Sequence, residues 1–116
     1  MDLIVRHLES AGLPVVSVVG EVDLATAPRL RDALVQAAVD HPGERVAVDH
    51  DGVTMLDSSG LGVLVGALRR ITAADGDLVV VCSSARLLDL FAQCRLDRVF
   101  EIRSRLADVT SGTRRG

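Results

Sequence analysis
A chain of 116 residues is long enough for one domain with its own hydrophobic core, without disulfides or a metal to hold it together. Apolar residues make up 48%, yet there are two Phe, no Trp and no Tyr, and the net charge is -3. Base stacking on aromatic rings and phosphate tracking by a basic surface are both disfavoured, so no direct nucleic-acid partner is expected. No leader-like start and no apolar run of about 18 residues is present, which predicts a cytoplasmic protein without membrane insertion.

Leu3 to Leu8 and Pro14 to Gly20 are β-branched, alternating runs around Ser10-Ala11-Gly12, the pattern of two strands in a hairpin. The second contains Val15-Val16-Ser17-Val18-Val19 and is too apolar for an open edge, so it belongs inside the sheet. Gly20-Glu21-Val22-Asp23 leads into a helix capped at Thr26 or Ala27, with Pro28 in the first turn, that stops before His41-Pro42-Gly43. Arg45 to His50 reads as a strand and Asp51-Gly52 as a turn, after which an apolar stretch leads to Asp57-Ser58-Ser59.

Those three residues precede a helix whose apolar positions Leu61, Leu64, Val65, Leu68 and Ile71 follow the three-and-four spacing of one buried face. Ser and Asp suit a helix start because their side-chain oxygens accept from backbone N–H groups that lack a partner. A good N-cap would explain one such residue. It leaves unexplained the paired hydroxyls and the placement of Gly62, Gly66 and Ala67 on the face opposite the core, since a helical glycine costs roughly 1 kcal/mol relative to alanine. Close approach of a partner surface to Ser59, Gly62 and Gly66 would account for both.

Leu78 to Cys82 is a continuous apolar run, as for a strand covered on both faces. A third helix, capped by Ser83 or Ser84, buries Leu87, Leu88, Phe91 and Cys94, and Leu96 to Ile102 supplies a last strand. Leu106 to Val109 would add one helical turn, and residues 110–116 would fray. The order implies one α/β domain over residues 1–109: a mostly parallel sheet with right-handed crossovers and an antiparallel strand at one side.

The residues argue against an enzyme. His7, His41 and His50 have no spacing that pairs a base with Ser58 or Ser59, the serine hydrolase elbow is absent, and no phosphate-cradling loop follows a strand. His50 between Asp49 and Asp51 reads as a solvated turn rather than a metal site, and Cys82 and Cys94 as small buried hydrophobes, so no metal or cofactor is expected. Arg69-Arg70 is most simply a solvated helix end that suits the helix dipole. A phosphate on Ser58 would add about -1.5 to -2 charges beside a helix N-terminus that tolerates it. A partner seated on the adjacent small-residue face would meet an anion it must desolvate, and a loss of about 3 kcal/mol there lowers affinity on the order of 10²-fold.

Met55-Leu56-Asp57-Ser58-Ser59-Gly60-Leu61-Gly62, with Gly20-Glu21-Val22-Asp23 upstream, closely resembles the bacterial anti-sigma factor antagonists built on the STAS domain. The likeness spans roughly Leu3 to Val109. It implies three to four helices in a single layer packed mainly on one face of the sheet. It also implies phosphorylation of Ser58 by an anti-sigma factor that is itself a serine kinase, capture of that kinase by the unphosphorylated form, release of a sigma factor, and reversal by a phosphatase. Asp23 and Asp57 match acidic positions of the family, and together with Ser59, Gly60, Gly62 and Gly66 they form the expected partner-binding surface. The chain departs from the family at His50, where an apolar or acidic residue is more usual, and its C-terminal segment is short. A non-switching STAS adaptor in a transporter or sensory assembly is the alternative, and a nucleotide-binding module a third; the paired serines favour the switch.

Overall fold
The computed structural model describes residues 2–112. Its elements are β1 (Leu3–Ser10), β2 (Leu13–Val22), α1 (Ala27–Asp40), β3 (Arg45–Leu56), α2 (Ser58–Ala73), β4 (Asp77–Val81), α3 (Ala85–Gln93) and β5 (Glu101–Arg103), with short 3-10 turns at Leu96–Arg98 and Leu106–Asp108. The five strands lie in the order β1-β2-β3-β4-β5, with β1 antiparallel to β2 and every later pair parallel. Each crossover therefore moves one strand over in the same direction. With right-handed crossovers, that ordering puts all three helices on one face.

The main core lies between sheet and helices. Val16, Val18, Val22, Val46, Val48, Leu78 and Val80 meet Leu30 and Leu34 of α1, Leu61, Leu64 and Ile71 of α2, and Leu87 and Phe91 of α3. The opposite face has a smaller core, Leu13, Val15, Ala47, Val79 and Val81, covered by Val109 with Leu106 packed against it. The segment after β5 thus serves as the cover of the helix-free face. Residues 110–116 were expected to fray; within them, the carbonyls of Thr110 and Gly112 accept from Arg45 Nη1 at 3.2 Å and Arg45 N at 2.7 Å, and residues 113–116 lie outside the described ones.

The largest departure from expectation is at Asp51-Gly52. These residues are not a turn but part of β3, which runs unbroken for 12 residues. Ser17 pairs with Asp49, Val19 with Gly52 and Glu21 with Met55, so the offset between the strands grows from 32 to 33 to 34 and β3 takes in two extra residues as bulges. Gly52 permits this because a Cβ there would come within 2.7 Å of Val19 Cγ2 and 3.1 Å of the Val18 carbonyl. β4 pairs only with Arg45 to Asp49, so the second half of β3 extends past it and is paired with β2 alone. On that side, Arg86 Nη2 of α3 donates to the Thr54 carbonyl at 2.8 Å.

Smaller differences follow the same logic. Only Glu101 to Arg103 of the expected last strand is extended, because Leu96–Arg98 closes a 3-10 turn first. Cys82 is buried, but Cys94 is exposed at the end of α3 rather than packed. Ala67 is buried on the core side of α2 rather than facing outward.

Candidate functional site
The site stands where β2 and β3 end side by side. Val22 and Leu56 are the last register pair, and Asp57 N donates to the Val22 carbonyl at 3.1 Å. Asp23 and Asp57 therefore leave adjacent strands together, each at the head of a helix segment. Their carboxylates are occupied with backbone amides. Asp23 Oδ1 accepts from Ala25 N at 2.9 Å and Thr26 N at 3.0 Å, and the Thr26 backbone hydrogen bond is the main cause that holds its carboxyl below the ordinary range. Thr26 is the N-cap of α1, but its hydroxyl donates to the Glu21 carbonyl at 2.8 Å, so Asp23 supplies the loop with the acceptor.

Asp57 is the N-cap of α2, and its Oδ1 accepts from Ser59 N at 2.9 Å and Gly60 N at 3.3 Å. With those amides satisfied by Asp57, Ser58 occupies the first helical position, exposed, and its hydroxyl has no hydrogen-bond partner among the described residues. Ser59 is half-buried. Gly62 and Gly66 follow on the outer face of α2, where a Cβ would meet nothing within 4 Å. This part of the helix is bare, as the sequence indicates.

Gly60 is different. It is buried, and a Cβ there would overlap Leu56 Cδ1 and come within 2.7 Å of Val22 Cγ1. Expected on the partner surface, it is instead packed inside, where it allows α2 to start hard against the ends of β2 and β3. One residue that the sequence reading does not single out stands next to Asp23. Leu24, at the tip of the loop after Asp23, is 79% exposed, the most exposed large apolar side chain among the described residues. The signal was an apolar residue inside a run of capping residues, Asp23-Leu24-Ala25-Thr26, where burial has no use for it.

The histidines lie apart from this chemistry. His41 Nδ1 is 3.1 Å from Glu44 Oε2, His7 is exposed on β1, and His50 is fully buried with neither ring nitrogen hydrogen-bonded. Asp51 accepts from Ser83 N at 2.8 Å and Ser83 Oγ at 3.0 Å, tying β3 to the segment before α3. Among the described residues, no three His, Cys, Asp or Glu side chains are grouped to hold a metal ion, and no helix is long and apolar enough to cross a membrane.

A sequential sheet with one helix layer, and a serine exposed at the head of its second helix, define a STAS-type regulatory domain. The STAS domain family profile matches residues 4–109, and the chain belongs to that family. It is 37% identical over 87 residues to the anti-sigma-B factor antagonist of Listeria monocytogenes, covering 75% of each chain. Identity to the Bacillus subtilis anti-sigma-B factor antagonist is 34% over 87 residues, 75% of this chain and 78% of the relative. The crystal structure of an anti-sigma factor antagonist from Mycobacterium paratuberculosis superposes with a TM-score of 0.78 at 28% identity, covering 92% of this chain and 90% of that one.

Proposed function
We propose that this chain is an anti-sigma factor antagonist: unphosphorylated, it binds an anti-sigma factor that is a serine kinase and so releases a sigma factor, and phosphorylation of Ser58 ends the binding. The observation that carries the reading is the division of labour at the head of α2. Asp57 caps the helix, which leaves the neighbouring Ser58 hydroxyl exposed and without a structural role. A residue that the fold does not need can be modified without unfolding it.

A phosphate there gains from the helix dipole but stands beside Asp57 and near the start of the Asp23 loop, so it deepens an acidic patch instead of neutralising one. The docking surface is Leu24 with Asp23 on one side, and Ser59, Gly62 and Gly66 on the other. A partner covering it would have to desolvate the phosphate. No rearrangement of the chain is required, and no chemistry beyond accepting a phosphate is asked of it, so the protein acts as a binding protein and substrate. A serine phosphatase returns it to the binding form.

The test is to incubate the purified chain with serine-kinase anti-sigma factors and ATP and to locate the phosphate by mass spectrometry. Binding to the kinase that acts is then measured by calorimetry. Ser58→Ala should block phosphorylation and bind like the parent, whereas Ser58→Asp should bind at least tenfold more weakly. Phosphate at another residue, or equal affinity for all three forms, overturns the reading.

A further inference from the structure
Beside the serine, α1 and α2 leave a groove of about 310 Å³ between them. Val35 and Val63 line it with Gly62 and Gly66, and the charged side chains on it are Arg31 and Arg70. We infer that this groove receives an acidic amphipathic helix of the partner, whose apolar side chains lie over the two glycines while two of its carboxylates meet Arg31 and Arg70. The inference rests on the reading of the chain as a partner-binding protein and adds the chemistry that the partner must present.

Charge carries it. Both ionic groups on the groove are cationic in a chain of net charge -3. Arg70 has no ion-pair partner among the described residues, and Arg31 has only Asp32, its chain neighbour, at 3.6 Å with both side chains largely exposed. Such an exposed pair is worth little and gives way to a better-placed carboxylate. Two guanidiniums at a groove whose remaining lining is uncharged, and apolar apart from Ser59, select an acidic occupant and reject a basic one.

Spacing then sets the form of the occupant. Because β2 and β3 are parallel, α1 and α2 run side by side in the same direction. Arg31 lies in the second turn of α1 and Arg70 in the last turn of α2, so the two arginines stand toward opposite ends of the groove. Carboxylates seven or eight residues apart on a docked helix share one face and are separated by about 10 to 12 Å of rise, so that one can reach toward each arginine. The missing side chains at Gly62 and Gly66 leave room for leucine-sized groups between them, the helix-in-groove mode of recognition.

The test uses the full chain, isotopically labelled, and a synthetic helical peptide of about 18 residues with a leucine-alanine face and two glutamates seven positions apart. A twin peptide carries lysine at those two positions. The glutamate peptide should shift the amide resonances of α1 and α2 along the groove, the lysine peptide should not, and Arg31→Glu with Arg70→Glu should abolish the effect while Arg69→Glu leaves it. The same double variant should bind the Ser58 kinase at least tenfold more weakly. Equal binding of the two peptides, binding insensitive to the double variant, or groove shifts that track protein concentration without peptide and so report a second copy, would each overturn the inference. If Ser58→Asp loses the kinase while the double arginine variant keeps both kinase and peptide, the groove is wrong and the switch stands. If the arginine variant loses both and Ser58→Asp loses neither, the groove stands and the switch falls.

Discussion

His50 sits on the core side of β3 with 0% exposure, and both ring nitrogens lack a hydrogen bond. Burial pushes its pKa down to about 4; the Val48 carbonyl pulls the other way without meeting hydrogen-bond geometry. The folded protein therefore holds this ring neutral, while the unfolded chain takes up a proton near pH 6.5. The unfolded state binds more protons between those values, so stability is complete above about pH 6.5 and falls as pH drops toward 4, by roughly 3 kcal/mol for this group alone. His50→Leu removes two unsatisfied polar atoms at similar volume. It should raise stability at pH 7 by about 1 kcal/mol and flatten the acid limb between pH 6.5 and 4, which denaturant titrations at several pH values would show. If the variant has the same acid dependence as the parent, His50 is not its source. The sequence showed a polar residue between two aspartates and pointed to a solvated turn. Only the unbroken course of β3, which brings alternation to bear on residue 50, explains why the ring faces inward.

At the scale of elements, α2 carries three glycines with two different uses. Gly66→Ala should strengthen the helix by about 1 kcal/mol, because the added methyl meets no atom, yet it narrows the docking face and should weaken partner capture. Gly60→Ala forces a methyl against Leu56 and Val22 and should cost about 1 to 3 kcal/mol. Thermal melts of the two variants should move in opposite directions. Two melts that move together would mean that the packing at the head of α2 is described wrongly. Periodicity made the glycines at 62 and 66 visible as outward positions, but it could not separate Gly60 from them, since its neighbours across the strand ends are remote in sequence. The same limit explains Ala67, whose size fits either face of a helix, and Cys94, which falls one residue beyond the last full turn of α3. Element order, the hairpin, the buried central strands and the starts of α2 and α3 were legible, because each rests on alternation or on local hydrogen bonding; which of Asp57, Ser58 and Ser59, and which of Ser83 and Ser84, supplies the cap was not. The continuity of β3 was not, because Asp-Gly is a strong turn signal. Pairing with β2 overrides it.

For the whole molecule, a sheet with every helix on one side depends on something else to shield the other. Here the segment from Leu106 to Gly112 does so: Val109 is buried over Leu13, Val15, Ala47, Val79 and Val81, and Arg45 holds the carbonyls on either side of Ser111. A chain cut after Arg105 exposes that valine-rich face. It should melt several degrees lower and associate in a concentration-dependent way by light scattering, while the proposed phosphorylation of Ser58, on the far side, should be unaffected. A truncated chain that stays monomeric with an unchanged melt would show that the cover is dispensable. The same asymmetry puts the cover and Ser58 on separate surfaces of the sheet.

The overhang of β3 gives Ser58 a particular mechanical setting. Seven residues of that strand, from His50 to Leu56, project past the end of β4 like a cantilever, braced from beneath by the Arg86 guanidinium on the Thr54 carbonyl. A beam supported along one side can twist slightly without breaking the frame to which it is fixed. The amides leading to Ser58 should therefore exchange with solvent sooner than those of the first half of the strand, while the rest of the sheet remains intact.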